Sequence, residues 1–198
     1  MKNGTSTRRG FLAAISALGL SGFMTAFSLA QLKMPRRRIP GTNELLPIIG
    51  LGSSKPVSQI AEQGSAPLAA VLRALVANGG SVVDTWPRNP GNDAAFGRVL
   101  NEPGLREALF IASKIDKVGK EAGVRQFRET QRLYQRETID LMQIFSLTDL
   151  DTQWSNLREW QASGAARYLG VTVASASLYE QLEQFLRHGR PGFVQLHY

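Results

Sequence analysis

Asp84 and Lys114 are the residues of this chain best placed to do chemistry. Each closes a short apolar run, Ser81-Val82-Val83-Asp84 and Leu109-Phe110-Ile111-Ala112-Ser113-Lys114, and a helical segment follows each. Together they bring one titratable group of each sign to adjoining strand ends, the material of proton handling. The carboxyl ends of parallel strands are where a (β/α) barrel keeps its chemistry. The plainer alternatives are a turn residue for Asp84 and a solvated surface cation for Lys114. No other cluster competes: there is no metal-ligand grouping and no Ser/His/Asp constellation, and the two histidines, His188 and His197, lie elsewhere. Trp154 and Trp160 share one helical segment with Leu157 and read as helix–barrel packing. Arg125, Arg128, Arg132 and Arg136 form a basic stripe, but Glu121 and Glu129 interleave with it, so it reads as a solvated helix face.

The elements that must carry these residues alternate. Leu46–Gly52 reads as a first buried strand, since buried parallel strands show continuous apolar runs. Residues 53–65, rich in Ser and Gly, read as a loop. A helix is expected over Ala66–Ala77, with Pro67 in its first turn and Gly79-Gly80 closing it. Strands are then expected at Ser81–Asp84, Leu109–Lys114, Ile139–Phe145, Tyr168–Thr172 and Phe193–His197. Helices are expected near Asn92–Leu100, Lys120–Tyr134, Thr152–Ala162 and Ser175–Arg187. The strand-end residues Asp84, Lys114, Phe145, Thr172 and Gln195 are spaced by 30, 31, 27 and 23 residues. That alternation means βα units and a parallel sheet. The expected fold class is α/β, an incomplete (β/α)8 TIM barrel with about six units, because a closed barrel needs eight strands and typically about 250 residues. The expectation is therefore a truncated chain; an open-sheet domain complete in itself is the alternative.

The 198 residues include no Cys and carry a formal charge of +7. The charge is not spread evenly. Residues 1–30 carry Lys2, Arg8 and Arg9 and no acid, residues 31–40 add Lys33, Arg36, Arg37 and Arg38, and the remainder balances 16 basic against 16 acidic residues. The body therefore offers no basic face for a phosphate backbone, and a nucleic-acid partner is not expected. Without Cys there are no disulfides or thiolate metal sites, which fits export without requiring it.

Across residues 36–198, ordered motifs accumulate: Arg37-Arg38-Ile39-Pro40-Gly41-Thr42, Ile49-Gly50-Leu51-Gly52, Val83-Asp84-Thr85, Phe96-Gly97-Arg98-Val99-Leu100, Phe110-Ile111-Ala112-Ser113-Lys114, Ile139-Asp140-Leu141-Met142-Gln143, Arg167-Tyr168-Leu169-Gly170-Val171-Thr172 and Phe193-Val194-Gln195. Each is weak alone; in this order and spacing they resemble the aldo/keto reductase family. The resemblance implies an NADPH-linked carbonyl oxidoreductase built on a barrel. It implies a hairpin under the barrel, near the basic arm of residues 31–44, and a barrel over residues 45–198. It also implies a catalytic Asp, Tyr, Lys and His, in which the Tyr hydroxyl protonates the carbonyl oxygen while an Asp-held Lys makes that phenol a better acid. Asp84 and Lys114 match the Asp and the Lys. The Tyr position holds Asn89 and the His position holds Phe145, and no Tyr precedes Tyr134. On the cofactor side, Gln195 matches a nicotinamide-carboxamide contact, Thr172 a small hydroxyl residue on the fifth strand, and Tyr198 an aromatic ring near the nicotinamide. Val173 stands where the family has Asn or His. The family's contacts to the adenosine phosphate fall in units absent here, so NADP binding is expected to be weak or lost.

The first residues resemble a twin-arginine export signal: Arg8-Arg9-Gly10-Phe11-Leu12, a mildly apolar run diluted by Ser16, Gly19, Ser21, Gly22 and Thr25, then Ser28-Leu29-Ala30 before Gln31. The resemblance implies the twin-arginine export machinery as a partner, a periplasmic address in a bacterium, and membrane contact only through the leader of residues 1–30. Cleavage, or retention as a tether, is left open. Three functions follow as alternatives: a carbonyl oxidoreductase of impaired activity, a non-catalytic exported barrel that binds a ligand or partner at its mouth, and a truncated gene product.

Overall fold

The computed structural model describes residues 34–197. Its centre is a six-stranded parallel sheet whose strands follow one another in sequence order. They are β3 (Gly50–Gly52), β4 (Val82–Asp84), β5 (Phe110–Ile115), β6 (Ile139–Ile144), β7 (Ala166–Val173) and β8 (Phe193–Leu196). Before them, β1 (Arg36–Arg38) and β2 (Leu45–Pro47) form an antiparallel hairpin. The intervening helices are α1 (Ser54–Ser58), α2 (Ile60–Gln63), α3 (Ala66–Ala77), α4 (Pro90–Leu100), α5 (Lys120–Tyr134), α6 (Leu150–Ala162) and α7 (Tyr179–Gly189). The sheet curls into part of an (β/α)8 barrel, as the strand–helix alternation predicts, with β3 and β8 as its edges.

Pleating sorts the side chains. Along a strand successive residues point to opposite faces. Val83, Ile111, Met142, Ile144 and Val171 face the helices, where they pack in two clusters with Leu72, Phe96, Tyr134, Phe127, Leu157 and Trp160. Phe110, Ala112 and Leu141 face the barrel interior and pack against Ile39 and Leu46 of the hairpin segment. The hairpin therefore plugs the bottom of the barrel. It is fastened by Glu44, whose Oε2 accepts from the Tyr168 hydroxyl at 2.7 Å and from the Arg167 guanidinium. Arg167 also donates to Asp140 Oδ1 at 2.6 Å, and Asp140 Oδ2 accepts from the Ile111 amide at 2.8 Å.

Three expectations need correction. Leu46–Gly52 is not one strand: Leu45–Pro47 belongs to the hairpin and only Gly50–Gly52 to the barrel. The Ile48 amide continues the hairpin by donating to the Pro35 carbonyl, and Ile48 and Ile49 are 53% and 56% exposed between the two strands. An apolar run alone does not reveal such a change of partner. Residues 53–65 are not a loop but hold α1 and α2, which Val57 and Ile60 anchor in the core. Phe145 does not end β6; it opens a 3-10 turn, Phe145–Leu147, in which Ser146 and Leu147 take positive φ. The leader of residues 1–30 and Tyr198 lie outside the described residues.

Helices α4 and α5 make an unusually close crossing at Gly97. A Cβ there would run into the Leu133 carbonyl oxygen and meet the Tyr134 Cα at 3.0 Å, both of them backbone that cannot swing aside. Gly97→Ala is expected to destabilise the fold by about 1–3 kcal/mol through overpacking. A lowered urea midpoint at unchanged m-value would register it; an unchanged midpoint would refute the close crossing.

Candidate active site

Asp84 is the last residue of β4, and Lys114 sits one residue before the end of β5. Lys114 shares its strand face with Phe110 and Ala112, so its side chain runs up the inside of the barrel toward the mouth. Its Nζ donates to Asp84 Oδ1 at 2.5 Å and reaches the Thr85 carbonyl at 3.5 Å. Lys114 is 6% exposed, whereas the Asp84 side chain is 33% exposed. The carboxylate is thus the water-facing partner of a nearly buried ammonium. From β8, Gln195 Nε2 donates to Asp84 Oδ2 at 3.3 Å. Thr172, paired in register with Gln195, is buried, and its Oγ1 accepts from the Ser146 amide at 3.3 Å. The sheet therefore brings Asp84, Lys114 and Gln195 into one hydrogen-bonded group, with Thr172 on the neighbouring strand turned toward the Phe145–Leu147 turn.

Asn89 is not part of that group. It is the N-cap of α4: its backbone is extended, Pro90 follows at the first helical position, and its Oδ1 accepts from the Gly91 and Asn92 amides, both at 3.1 Å. Such a cap contributes about 1 kcal/mol. The loop is closed from the other side by Asp93, whose Oδ2 accepts from the Arg88 and Asn89 amides at 2.7 Å each. The side chain at position 89 is thus committed to starting a helix and offers no proton to the mouth.

Phe145 lies against Trp86, with ring centroids 4.4 Å apart, and the Arg88 guanidinium carbon sits 3.9 Å from the centroid of the Trp86 ring. Phenyl, indole and guanidinium form a continuous aromatic and cation–π assembly beside the ion pair. The structure adds Trp86 to the site residues named from the sequence motifs. The available signal was an aromatic residue two positions after a strand-end carboxylate.

Tyr134 does not supply a phenol to the mouth. Tyr134 is fully buried on the helix-facing side, and its hydroxyl lies 2.8 Å from that of Thr85. Burial pushes its pKa well above the ordinary tyrosine value, outweighing the Thr85 bond, and Asp93 and Asp84 add to the rise. It stays a neutral, inward-facing hydroxyl.

A scan against family models matches residues 48–198 to the aldo/keto reductase family. No curated protein matches. Among solved structures, an aldo-keto reductase from Bacillus halodurans in its holo form superposes with a TM-score of 0.67 at 19% identity, covering 83% of this chain and 58% of that one. A glycerol dehydrogenase from Gluconobacter oxydans gives 0.64 at 23% identity, covering 81% of this chain and 54% of that one. The apo form of the Bacillus halodurans protein gives 0.60 at 16% identity, covering 83% and 56%. The chain thus spans little more than half the length of the structures it matches. These likenesses establish the fold.

Asp93 gives the site region a pH dependence. It is 1% exposed, its Oδ1 has no partner among the described residues, and burial raises its pKa against the pull of the two backbone hydrogen bonds. A carboxyl whose folded pKa lies above its unfolded value binds its proton more tightly when folded. Its contribution to stability is therefore greatest below the unfolded pKa and declines as pH rises to the folded pKa. Asp93→Asn keeps an oxygen for the two amides and removes the buried charge. It is expected to flatten that part of the stability–pH curve and to leave stability at neutral pH equal or higher. Denaturant titrations between pH 4 and pH 8 test this; an unaltered slope, or a loss of stability at neutral pH, would refute it.

Proposed function

The chain belongs to the aldo/keto reductase family, and on that premise we propose that its barrel mouth is an oxidoreductase site for transfer of hydride between NADPH and a small carbonyl substrate, with the proton half of the reaction impaired. One observation carries this reading. The Asp84–Lys114 pair is kept at 2.5 Å, while the flanking positions 89 and 145 are committed to a helix cap and an aromatic contact.

Carbonyl reduction needs a hydride at carbon and a proton at oxygen. NADPH supplies the hydride when bound. Gln195 and Thr172 are the described residues suited to hold its nicotinamide end. Gln195 gives an N–H to Asp84 but keeps its Oε1 as an acceptor, and Thr172 keeps its hydroxyl proton as a donor. The fit is partial, in line with weak cofactor binding. At the carbonyl oxygen, Lys114 offers a positive field, and Asp84 holds it in place. Neither an amide nor a phenyl ring at the flanking positions can release a proton. General acid catalysis contributes about 10²–10⁴-fold, which is the expected deficit.

A second reading, a non-catalytic barrel that binds a ligand or partner at its mouth, is favoured by the Phe145–Trp86–Arg88 assembly. That assembly turns the rim into an aromatic and cationic recognition surface. Asn89→Tyr combined with Phe145→His separates the two readings. The oxidoreductase reading expects aldehyde-dependent NADPH oxidation to rise by about 10²-fold or more, with NADPH quenching of Trp86 fluorescence in both forms. A flat fluorescence titration and no gain in rate would leave the binding reading standing.

The leader supports a further proposal, that the chain is exported to a bacterial periplasm by the twin-arginine machinery. Its arginine pair, weakly apolar core and Ser28-Leu29-Ala30 support it. Arg8→Lys with Arg9→Lys is expected to hold the protein in the cytoplasm on cell fractionation. Unchanged periplasmic recovery would sink the proposal.

A further inference from the structure

The end of the barrel opposite Asp84 and Lys114 carries a second concentration of charge. A cavity of about 420 Å³ opens there between the hairpin, the start of β4 and the segments that follow α4 and α5. Arg36, Arg106, Arg136 and Arg167 line it. Arg167 is answered by Glu44 and Asp140. Among the described residues, the other three have no carboxylate within ion-pair distance. Glu107 is the one further acid on the wall, and its Oε2 accepts from the Gly104 amide at 3.2 Å.

Local hydrogen bonds hold Arg106 and Arg136 beside each other. Arg106 donates to the side chain of Asn101 and, at 3.4 Å, to the carbonyl of Gln135, the residue before Arg136. Arg136 donates at 2.8 Å to the carbonyl of Leu100, the residue before Asn101. The Arg136 Nε–H is shielded from water and has no acceptor among the described residues. Burial lowers the Arg136 pKa first; Asp140 opposes that shift, the Arg106 charge adds to it and Glu107 opposes it. Asp140 and Glu107 offset part of the repulsion between the two guanidinium groups from beyond ion-pair distance, and an oxyanion between them would be attracted to both. The planar fork of N–H donors on arginine matches the oxygens of a phosphate.

We propose that this basal cavity binds a phosphate group between Arg106 and Arg136, with Arg36 and the Ser81 hydroxyl at its rim. The site is independent of the chemistry at the mouth. A soluble phosphate ester and a phospholipid headgroup present the same group, and the volume leaves room for a small organic body beside it.

The test uses the intact chain. Inorganic phosphate is titrated against chloride at matched ionic strength, followed by phosphorus NMR line width and thermal unfolding. Sedimentation with phosphatidylglycerol vesicles, and with phosphatidylcholine vesicles as control, forms the second arm. Arg106→Gln removes an exposed side chain and is expected to weaken binding about tenfold or more. Arg36→Gln, on the exposed hairpin, is the second variant should the first unfold. Saturable phosphate binding that the variants weaken supports the proposal. Phosphatidylglycerol binding that the variants abolish supports it with lipid as the source. No saturable binding in either arm, or binding that the variants leave unchanged, overturns it.

Discussion

The mouth of this barrel is organised by one buried charge. Lys114 is 6% exposed, and an ammonium so placed is tolerated only with an anion within reach. Asp84 provides it, and the geometry leaves little freedom in how. β4 and β5 are hydrogen-bonded in parallel register with Asp84 opposite Ala112. Lys114, two residues further along, stands on the same face and passes beside the end of β4. Asp84 keeps a third of its side chain in water, so the pair lies between the exposed case, worth about 0–1 kcal/mol, and the fully buried case, where loss of one partner costs about 3–5 kcal/mol. Gln195 then adds a bond from the far edge strand. A single carboxylate thereby ties the second strand of the sheet to the third and the sixth.

Around this pair, the neighbouring positions serve the scaffold. Asn89 is a good helix starter: a short acceptor, followed by Pro90, backed by Asp93 beneath the loop. Phe145 is a good partner for an indole. Each residue serves local stability better than it would serve proton transfer. At these two positions the side chains meet requirements of the fold, a helix start at one and an aromatic contact at the other. Tyr134 shows the converse. It is a phenol within the electrostatic reach of Asp84, yet burial and its bond to Thr85 make it a packing residue.

Much of this was legible in the sequence, for identifiable reasons. The bounds of α3 and α5 emerge as expected, since Pro67 and Gly79-Gly80 punctuate the first and an amphipathic pattern sustains the second. The strand-end positions of Asp84 and Lys114 follow from apolar runs that stop abruptly. What escaped depends on partners distant in sequence. Leu46–Gly52 is continuous in hydrophobicity but changes partner halfway, from Arg36–Arg38 to Val82–Asp84. Residues 53–65 have few apolar anchors, and their helices depend on Val57 and Ile60 finding the core. The Asn-Pro step signals the cap at Asn89, whereas the expected start near Asn92 lies two residues beyond the observed start at Pro90. The contact between Trp86 and Phe145 joins segments 59 positions apart, and no local pattern announces it.

The two ends of the sheet treat charge in opposite ways, and the contrast has a physical origin. At the mouth, a nearly buried cation and a partly exposed anion are paired and nearly cancel. At the base, the hairpin fills the interior with Ile39 and Leu46 and pushes the polar groups outward. There Arg167 collects two carboxylates, Glu44 and Asp140, which leaves fewer acids for Arg36, Arg106 and Arg136. Those arginines are placed by backbone carbonyls instead, at Gly79, Gln135 and Leu100. A carbonyl fixes a guanidinium without neutralising it. The plug that closes the barrel therefore also creates the surplus of positive charge beneath it, and packing of the apolar interior and electrostatics of the basal surface have a common cause.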